Sequence, residues 1–539
     1  MRFYAIALLY LRSAVLAQDT QVPFQADHKH STAFTPEISK YIEEALDTYQ
    51  VPGLSAAVIR KDGTVEVGAW GKSTEDGNRT TPDTLYYIAS CSKAFTAAAM
   101  GILIGDFEQG RNTTALPADM TALNWNTKVK DLLPAEWALQ DEWASEKASI
   151  RDIMAHVSGL GRHDLSYGPS LTSSEFVSRL RYLRPSYELR EQFSYNNHMF
   201  VVAAHIISTY TGSYTRFVKE RIFDPLNMTS TTFSLSEAVE SGKMTQTWGH
   251  LANGRRIPHW MGDHSLDTMA GAGGIISSVI DMAKWVELLL NSGYDTHTNT
   301  TIIPKASFEQ ITSAQVVAFG GPVVAYCAGW IRQTFLGRDT IWHNGGIPGA
   351  HAQVAFLPGD GVGLVQLLNI DSRSEAVLDI QQRLFEKALG LEPVSEKLAG
   401  PERPPPADTD TNTATIESAP IDVHKYSGTY SHPAYGNLTF CGPHTLSDYC
   451  HKTRADFAPF PLGALPQLLA TWPRFCSAHG CVVFIDKSSL SVEISTLFPK
   501  GYGADESPFT HVMDTGEAGS KFSMDGEEVT VLQLKTADG

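Results

Sequence analysis

Between Thr35 and Trp70 the apolar positions change period. Ile38, Ile42, Leu46 and Tyr49 recur at helical spacing behind Thr35-Pro36-Glu37, a capping residue followed by a first-turn proline. Pro52-Gly53 ends that helix. Residues 54–59 and 64–70 then flank Asp62-Gly63, a strong hairpin signal. A second hairpin pattern appears where 352–357 and 363–368 flank Pro358-Gly359-Asp360-Gly361. Residues 374–388 follow as a helix that turns Ala376, Val377, Ile380, Leu384 and Leu389 toward a core. These patterns predict an α+β fold: an antiparallel sheet bracketed by terminal helices, with a helical insertion between its two ends.

Beyond this the composition shifts. Residues 393–420 hold Pro401, Pro404-Pro405-Pro406 and a Thr/Asp/Asn-rich run with almost no apolar residues, which predicts an extended linker. Short strands are expected after it, over 481–485, 490–494, 521–524 and 529–534, with Asp525-Gly526 as a turn. No stretch there has a convincing helical period. The predicted organisation is a main domain over 18–392, the linker, and a β-domain over 421–539.

The candidate chemistry begins at Ser90-Cys91-Ser92-Lys93, the only place where a serine has a lysine three positions on. On a helix, i and i+3 share a face. A serine needs a base to become a nucleophile, and a lysine serves when burial or a nearby cation lowers its pKa. Tyr195-Asn196-Asn197 stands just before an apolar run, and His343-Asn344-Gly345-Gly346 follows a short predicted strand. In this order, S-x-x-K, Y-x-N and H-x-G resemble the serine beta-lactamase and penicillin-binding family, on its class C beta-lactamase, D-aminopeptidase and esterase branch. Two further stretches are similar to that family's sequences. One is 150–160, ending in His156-Val157-Ser158-Gly159-Leu160; the other is the Gly-Gly turn ahead of a helix within 270–278. The resemblance runs from about Pro36 to Ala388. The opening of the tail, Tyr426-Ser427-Gly428-Thr429-Tyr430, resembles the small barrel-like β-domain appended to some members.

The resemblance implies a beta-lactamase/transpeptidase-like fold and an acyl-enzyme on Ser90. Lys93 and Tyr195 are both candidates for the base. Asn197 would bind Lys93 and the substrate, and the N–H groups of Ser90 and Gly346 would form the oxyanion hole. Gly345 and Gly346 would let the strand approach the substrate, and His343 would line the same cleft. His343 also departs from the beta-lactamase pattern, which usually has Lys-Thr-Gly there. A neutral histidine attracts an anion less, so the resemblance points to esterases, D-amino-acid peptidases or acyl transferases rather than antibiotic hydrolysis. The substrate would be a small molecule or short peptide. A transferase passing the acyl group to an alcohol or amine is the alternative, as is a binding protein on a disabled fold.

Composition narrows the setting. The net charge of −17 argues against nucleic acid or anionic membrane surfaces as partners. Arg2, an apolar run over 3–11 and Val15-Leu16-Ala17 read as a signal peptide over 1–17, hence a secreted protein. Sequons at Asn78, Asn112, Asn227, Asn299 and Asn437 fit secretion. Cys441, Cys450, Cys476 and Cys481 cluster as candidates for two disulfides, the rival being a zinc site that lacks C-x₂₋₄-C spacing. Cys91 and Cys327 read as core residues. With no G-x-S-x-G, no H-E-x-x-H and no dinucleotide fingerprint, the sequence calls for no metal or cofactor. Nothing in it sets an oligomeric state.

Overall fold

Thr35 opens the first helix, α1 (Pro36–Tyr49), by accepting the Ile38 N–H on its side chain, with Pro36 in the first turn. Gln50 ends the helix in a left-handed conformation. Strands β1 (Gly53–Arg60) and β2 (Val65–Gly71) form the expected hairpin. The computed structural model describes residues 32–263, 266–319, 323–393, 422–461, 467–475, 477–484, 490–512, 520–525 and 528–534. The expected signal peptide, nearly all of the expected linker, and Cys476 lie outside them.

The central sheet has eight strands. Six come late in the main domain: β3 (Val316–Phe319), β4 (Val324–Tyr326), β5 (Ile331–Phe335), β6 (Arg338–Ile347), β7 (Ala350–Leu357) and β8 (Val362–Leu368). The order across the sheet is β2-β1-β8-β7-β6-β5-β4-β3, antiparallel throughout. Side-chain alternation along β1 splits the core in two. Leu54, Ala56 and Val58 face α1 and the C-terminal helix of this domain (Ser374–Ala388), whereas Ala57 and Ile59 face the helical layer. The central strands β1, β8 and β7 are therefore buried on both sides, and they read as apolar runs rather than as alternating patterns.

The helical layer contains α2 (Ser92–Glu108) and α3 (Asn197–Thr211). Fifteen residues of α2 are buried, so it is a core helix with an apolar surface all round. Asn196 caps α3 by accepting the Met199 N–H. The helix that ends the main domain, Ser374–Ala388, is α4.

The C-terminal domain is a sheet domain, with one element the sequence pattern did not show. Its strands are β9 (Gly428–His432), β10 (Gly436–Phe440), β11 (Gln467–Arg474), β12 (Ser477–Phe484), β13 (Leu490–Phe498), β14 (Phe509–Val512), β15 (Ser520–Asp525) and β16 (Glu528–Leu534). The missed element is the helix α5 (Asp448–Phe457), capped by Ser447. Its buried positions are Cys450, Thr453 and Phe457, so its inner face carries a single large apolar residue and gives little periodicity.

One of the two expected disulfides is formed, Cys441–Cys450, and it ties α5 to the end of β10. Cys481 is a free thiol, which corrects its place in a second bridge. It lies within β12, several residues past Ser477, and at about 3.3 Å per residue it is carried well away from the strand's start. There it packs against Phe457, Leu469 and Leu497. Cys91 and Cys327 are buried free thiols.

Candidate active site

The chain enters α2 through a single tight turn, Ala89–Cys91, which carries Ser90. Ala89 takes a left-handed φ of 44°, a strained conformation for a residue with a Cβ. β6 lies directly against this turn. A Cβ on Gly345 would stand 2.0 Å from the Ile88 carbonyl oxygen and 3.0 Å from the Ser90 nitrogen, so only glycine fits. Gly346, one residue on, has open space where its Cβ would be and lines the cleft beside Ser90.

Lys93 is wholly buried beneath Ser90. Its Nζ lies 3.0 Å from Ser90 Oγ, 2.7 Å from Asn197 Oδ1 and 2.8 Å from the Ala272 carbonyl oxygen. A neutral amine has two hydrogens and one lone pair. Two acceptors take the hydrogens, which leaves the lone pair for the Ser90 hydroxyl. Burial lowers the Lys93 pKa to about 7, with the Arg162 charge acting in the same direction and the Asp164 charge against it. Tyr195 is placed differently. Its Oη donates to Ser90 Oγ at 2.8 Å, and burial raises the phenol well above its usual value. Of the two candidate bases, Lys93 is the one that loses its proton near neutral pH.

Asn197 is held from the other side. Its Nδ2 donates to Asp164 Oδ1 at 3.3 Å, and Asp164 pairs with Arg162 at 2.6 Å. The Arg162 guanidinium also lies over the Tyr195 ring. Burial works against the Asp164 charge, but Arg162 holds its carboxyl below the usual carboxylate range.

His343 is buried under the cleft wall, behind Tyr195, and not among the residues that line the cleft. This corrects its expected contact with substrate; its neighbours Asn344 and Gly346 line the cleft instead. The reason lies in the strand and the proton positions around it. His343 Nδ1–H donates to the Asn344 carbonyl, so Nε2 accepts from Tyr326 Oη at 3.2 Å. Tyr326 in turn accepts from His156 Nε2–H at 3.2 Å, because His156 Nδ1 is taken by the Asn196 N–H at 3.0 Å. Burial, then the Lys93 charge, lowers the His343 pKa to about 3. His343 is a neutral support that fixes β6 and Tyr326 behind the catalytic cluster.

The cleft itself has a volume of about 330 Å³. The main domain contributes Ser90, Asn197, Met261, Met269 and Gly346, and the C-terminal domain contributes Arg474, Phe475, Ser477 and His511. His511 pairs with Asp371 of the main domain at 3.3 Å. Leu165 packs among Val423, Tyr426 and Trp472 in the core of the C-terminal domain.

Ser90, Lys93, Tyr195, Asn197 and the two glycines thus converge as the sequence predicted. Arg162, Asp164, His156, Tyr326 and the C-terminal contributions were missed. Gly161-Arg162-His163-Asp164 directly follows a quoted stretch, and its run of charges behind glycines was a usable signal. The residues from β4, β11 and β14 carried none, since only tertiary packing brings them here.

A family model described as Beta-lactamase matches residues 38–387. An unguisins hydrolase of Aspergillus campestris is 30% identical over 438 residues, covering 75% of this chain and 77% of the relative. A D-aminopeptidase of Brucella ovis is 24% identical, covering 66% of this chain and 63% of its own length. The octameric penicillin-binding protein homologue from Pyrococcus abyssi shares the fold at a TM-score of 0.57 and 19% identity, over 92% of this chain and 98% of that one. With its Ser-x-x-Lys, Tyr-x-Asn and His-x-Gly segments assembled around one cleft, the chain belongs to the beta-lactamase family of serine hydrolases.

Proposed function

We propose that the protein is a secreted amidase that cleaves a short peptide or a small amide through an acyl-enzyme on Ser90. The observation that carries this reading is Lys93, buried, poised near neutrality and bonded to both Ser90 and Asn197. Ser90 Oγ attacks the amide carbon while its proton passes to Lys93 Nζ. Negative charge develops on the carbonyl oxygen, which the N–H groups of Ser90 and Gly346 receive; such donors are commonly worth ~3 kcal/mol each. The C–N bond then breaks, and the departing nitrogen takes the proton held by Lys93, with Tyr195 Oη placed to pass it on. Water attacks the acyl carbon and gives a proton to the same amine, and as the acyl C–O bond breaks that proton returns to Ser90 Oγ, freeing the acid product.

Amide substrates, with D-amino acids among them, are favoured because relatives are named unguisins hydrolase and D-aminopeptidase. The missing cation at His343 supports a substrate without a carboxylate next to the scissile bond. Secretion is supported by the apolar leader and by sequon asparagines at the surface, with Asn78, Asn227, Asn299 and Asn437 exposed.

The test combines labelling and turnover. A fluorophosphonate probe should add to Ser90, as read by peptide mass, and D- and L-amino-acid p-nitroanilides should be hydrolysed. Ser90→Ala should abolish labelling and reduce turnover by ~10³ or more. Turnover near that of the unaltered protein in Ser90→Ala would refute the assignment.

A further inference from the structure

We infer that Arg474, brought to the catalytic cleft by the C-terminal domain, is a recognition site for a carboxylate carried by the substrate outside the Ser90–Lys93–Tyr195 cluster. The inference rests on the amide-hydrolase reading of the same cleft and adds the substrate's charge.

Arg474 ends β11 and lines the cleft that holds Ser90. Its guanidinium stacks on the Trp472 ring at 4.2 Å, which fixes its plane. Among the described residues it makes no ion pair and no hydrogen bond, and its Nε is buried without an acceptor. The acids of the cleft are already engaged. Asp164 is taken by Arg162 and Asn197. Asp371 is taken by His511 and by the backbone N–H groups of His250 and Gly349. The charge that acts on Arg474 is another cation, Arg179. Burial, then Arg179, lowers the Arg474 pKa to about 10.

A half-buried cation without a counter-charge is costly unless something supplies one. A guanidinium already held flat loses little freedom on meeting a planar carboxylate, which it can grip with two parallel hydrogen bonds. No such charge is available from β6, where His343 is neutral and buried. The carboxylate comes either from a peptide C-terminus removed from the scissile bond or from an acidic side chain.

Full-length Ser90→Ala protein, which binds without turnover, separates these sources by calorimetry. The ligands are N-acetylated dipeptides in two matched series: free acid against C-terminal amide, and Glu against Gln side chain with the C-terminus amidated. One acid member should bind at least about tenfold more tightly than its neutral partner, and the series that shows the gap names the source. Arg474→Gln in the same background should bring the pair to within about twofold, and Arg474→Lys should retain part of the gap. Equal affinities in both series, no binding of any member, or a gap that survives Arg474→Gln would each overturn the inference. Failure of the amidase reading shows separately, as a lack of fluorophosphonate adduct on the protein that retains Ser90.

Discussion

Tyr435 Oη donates to Nδ1 of His163 at 2.6 Å, so a side chain of the C-terminal domain holds the loop that carries Asp164. The direction is set by the other ring nitrogen, since His163 Nε2–H donates to the Arg184 carbonyl at 2.8 Å. From Asp164 the contacts continue through Asn197 to Lys93. His163 sits at a left-handed φ of 40°, so the loop needs outside support to keep its shape. Tyr435→Phe removes one hydrogen bond, typically worth ~1 kcal/mol, and should lower kcat about three- to tenfold. Steady-state kinetics on a neutral p-nitroanilide would check this, and an unchanged kcat would mean that Leu165 packing alone fixes the loop.

Arg162 and Asp164 bear on Lys93 with opposite sign. The Asp164 charge raises the lysine's pKa and the Arg162 charge lowers it. With the neutral amine of Lys93 as the proposed base, kcat/KM should rise with pH through about 7 and then level off. Asp164→Asn should move that midpoint down, and Arg162→Gln should move it up. A pH profile of each variant is the measurement. A rising limb near 10 or above in the unaltered protein would instead assign the base to Tyr195, whose phenol burial holds high.

How far the sequence carried depends on whether a feature was local. Thr35-Pro36 and Ile38, Ile42, Leu46 define a helix within one segment, and Asp62-Gly63 defines a hairpin within another; both are present. Ser90 and Lys93 share a turn, so their pairing was legible from spacing alone. His343 looked like a wall of the cleft because its strand was readable. Which face that strand turns to the cleft depends on Tyr326 and His156, residues of other elements, and the sequence could not place them. Arg474 lay hidden for the same reason. Helix α5 was missed because the disulfide at Cys450 and the packing of Phe457 do the work that a full apolar stripe would otherwise do.

The two glycines of β6 should respond differently to a methyl group. Gly345→Ala drives a Cβ into the Ile88 carbonyl and the Ser90 nitrogen, both backbone, so the nucleophile turn must shift. A displacement of that kind costs about 10²-fold in rate, and overpacking costs about 1–3 kcal/mol in stability. Gly346→Ala meets open space and should leave the melting temperature near its original value. Thermal unfolding together with fluorophosphonate labelling rates would separate the two effects. Equal loss of stability in both variants would contradict the close approach of β6 to Ser90.

Acid should unfold this protein through its buried histidines. Burial lowers the pKa of His198 and His343 to about 3 and that of His351 to about 4. Unfolded histidine titrates near 6.5. Between these values the unfolded chain binds protons that the folded chain refuses, so the histidine contribution to stability is complete above about 6.5 and is lost as the pH drops. Each such group contributes up to about 1.4 kcal/mol per pH unit once the pH is well below 6.5, and the three together about 4. Most carboxylates titrate below that window, near 4, so the fall between pH 6 and 5 belongs mainly to histidine. Against a total of about 5–15 kcal/mol for a folded domain, a loss of about 4 kcal/mol per pH unit is a large fraction of the stability. Among the described residues, His198 hydrogen-bonds only the hydroxyls of Ser166 and Tyr167, at 2.7 and 3.2 Å, and a glutamine can serve both. His198→Gln should therefore lower the slope of unfolding free energy against pH by about 1.4 kcal/mol per unit. Urea titrations at several pH values between 7 and 4.5 give that slope directly, and a slope that His198→Gln leaves unchanged would mean that His198 carries its proton in the folded state.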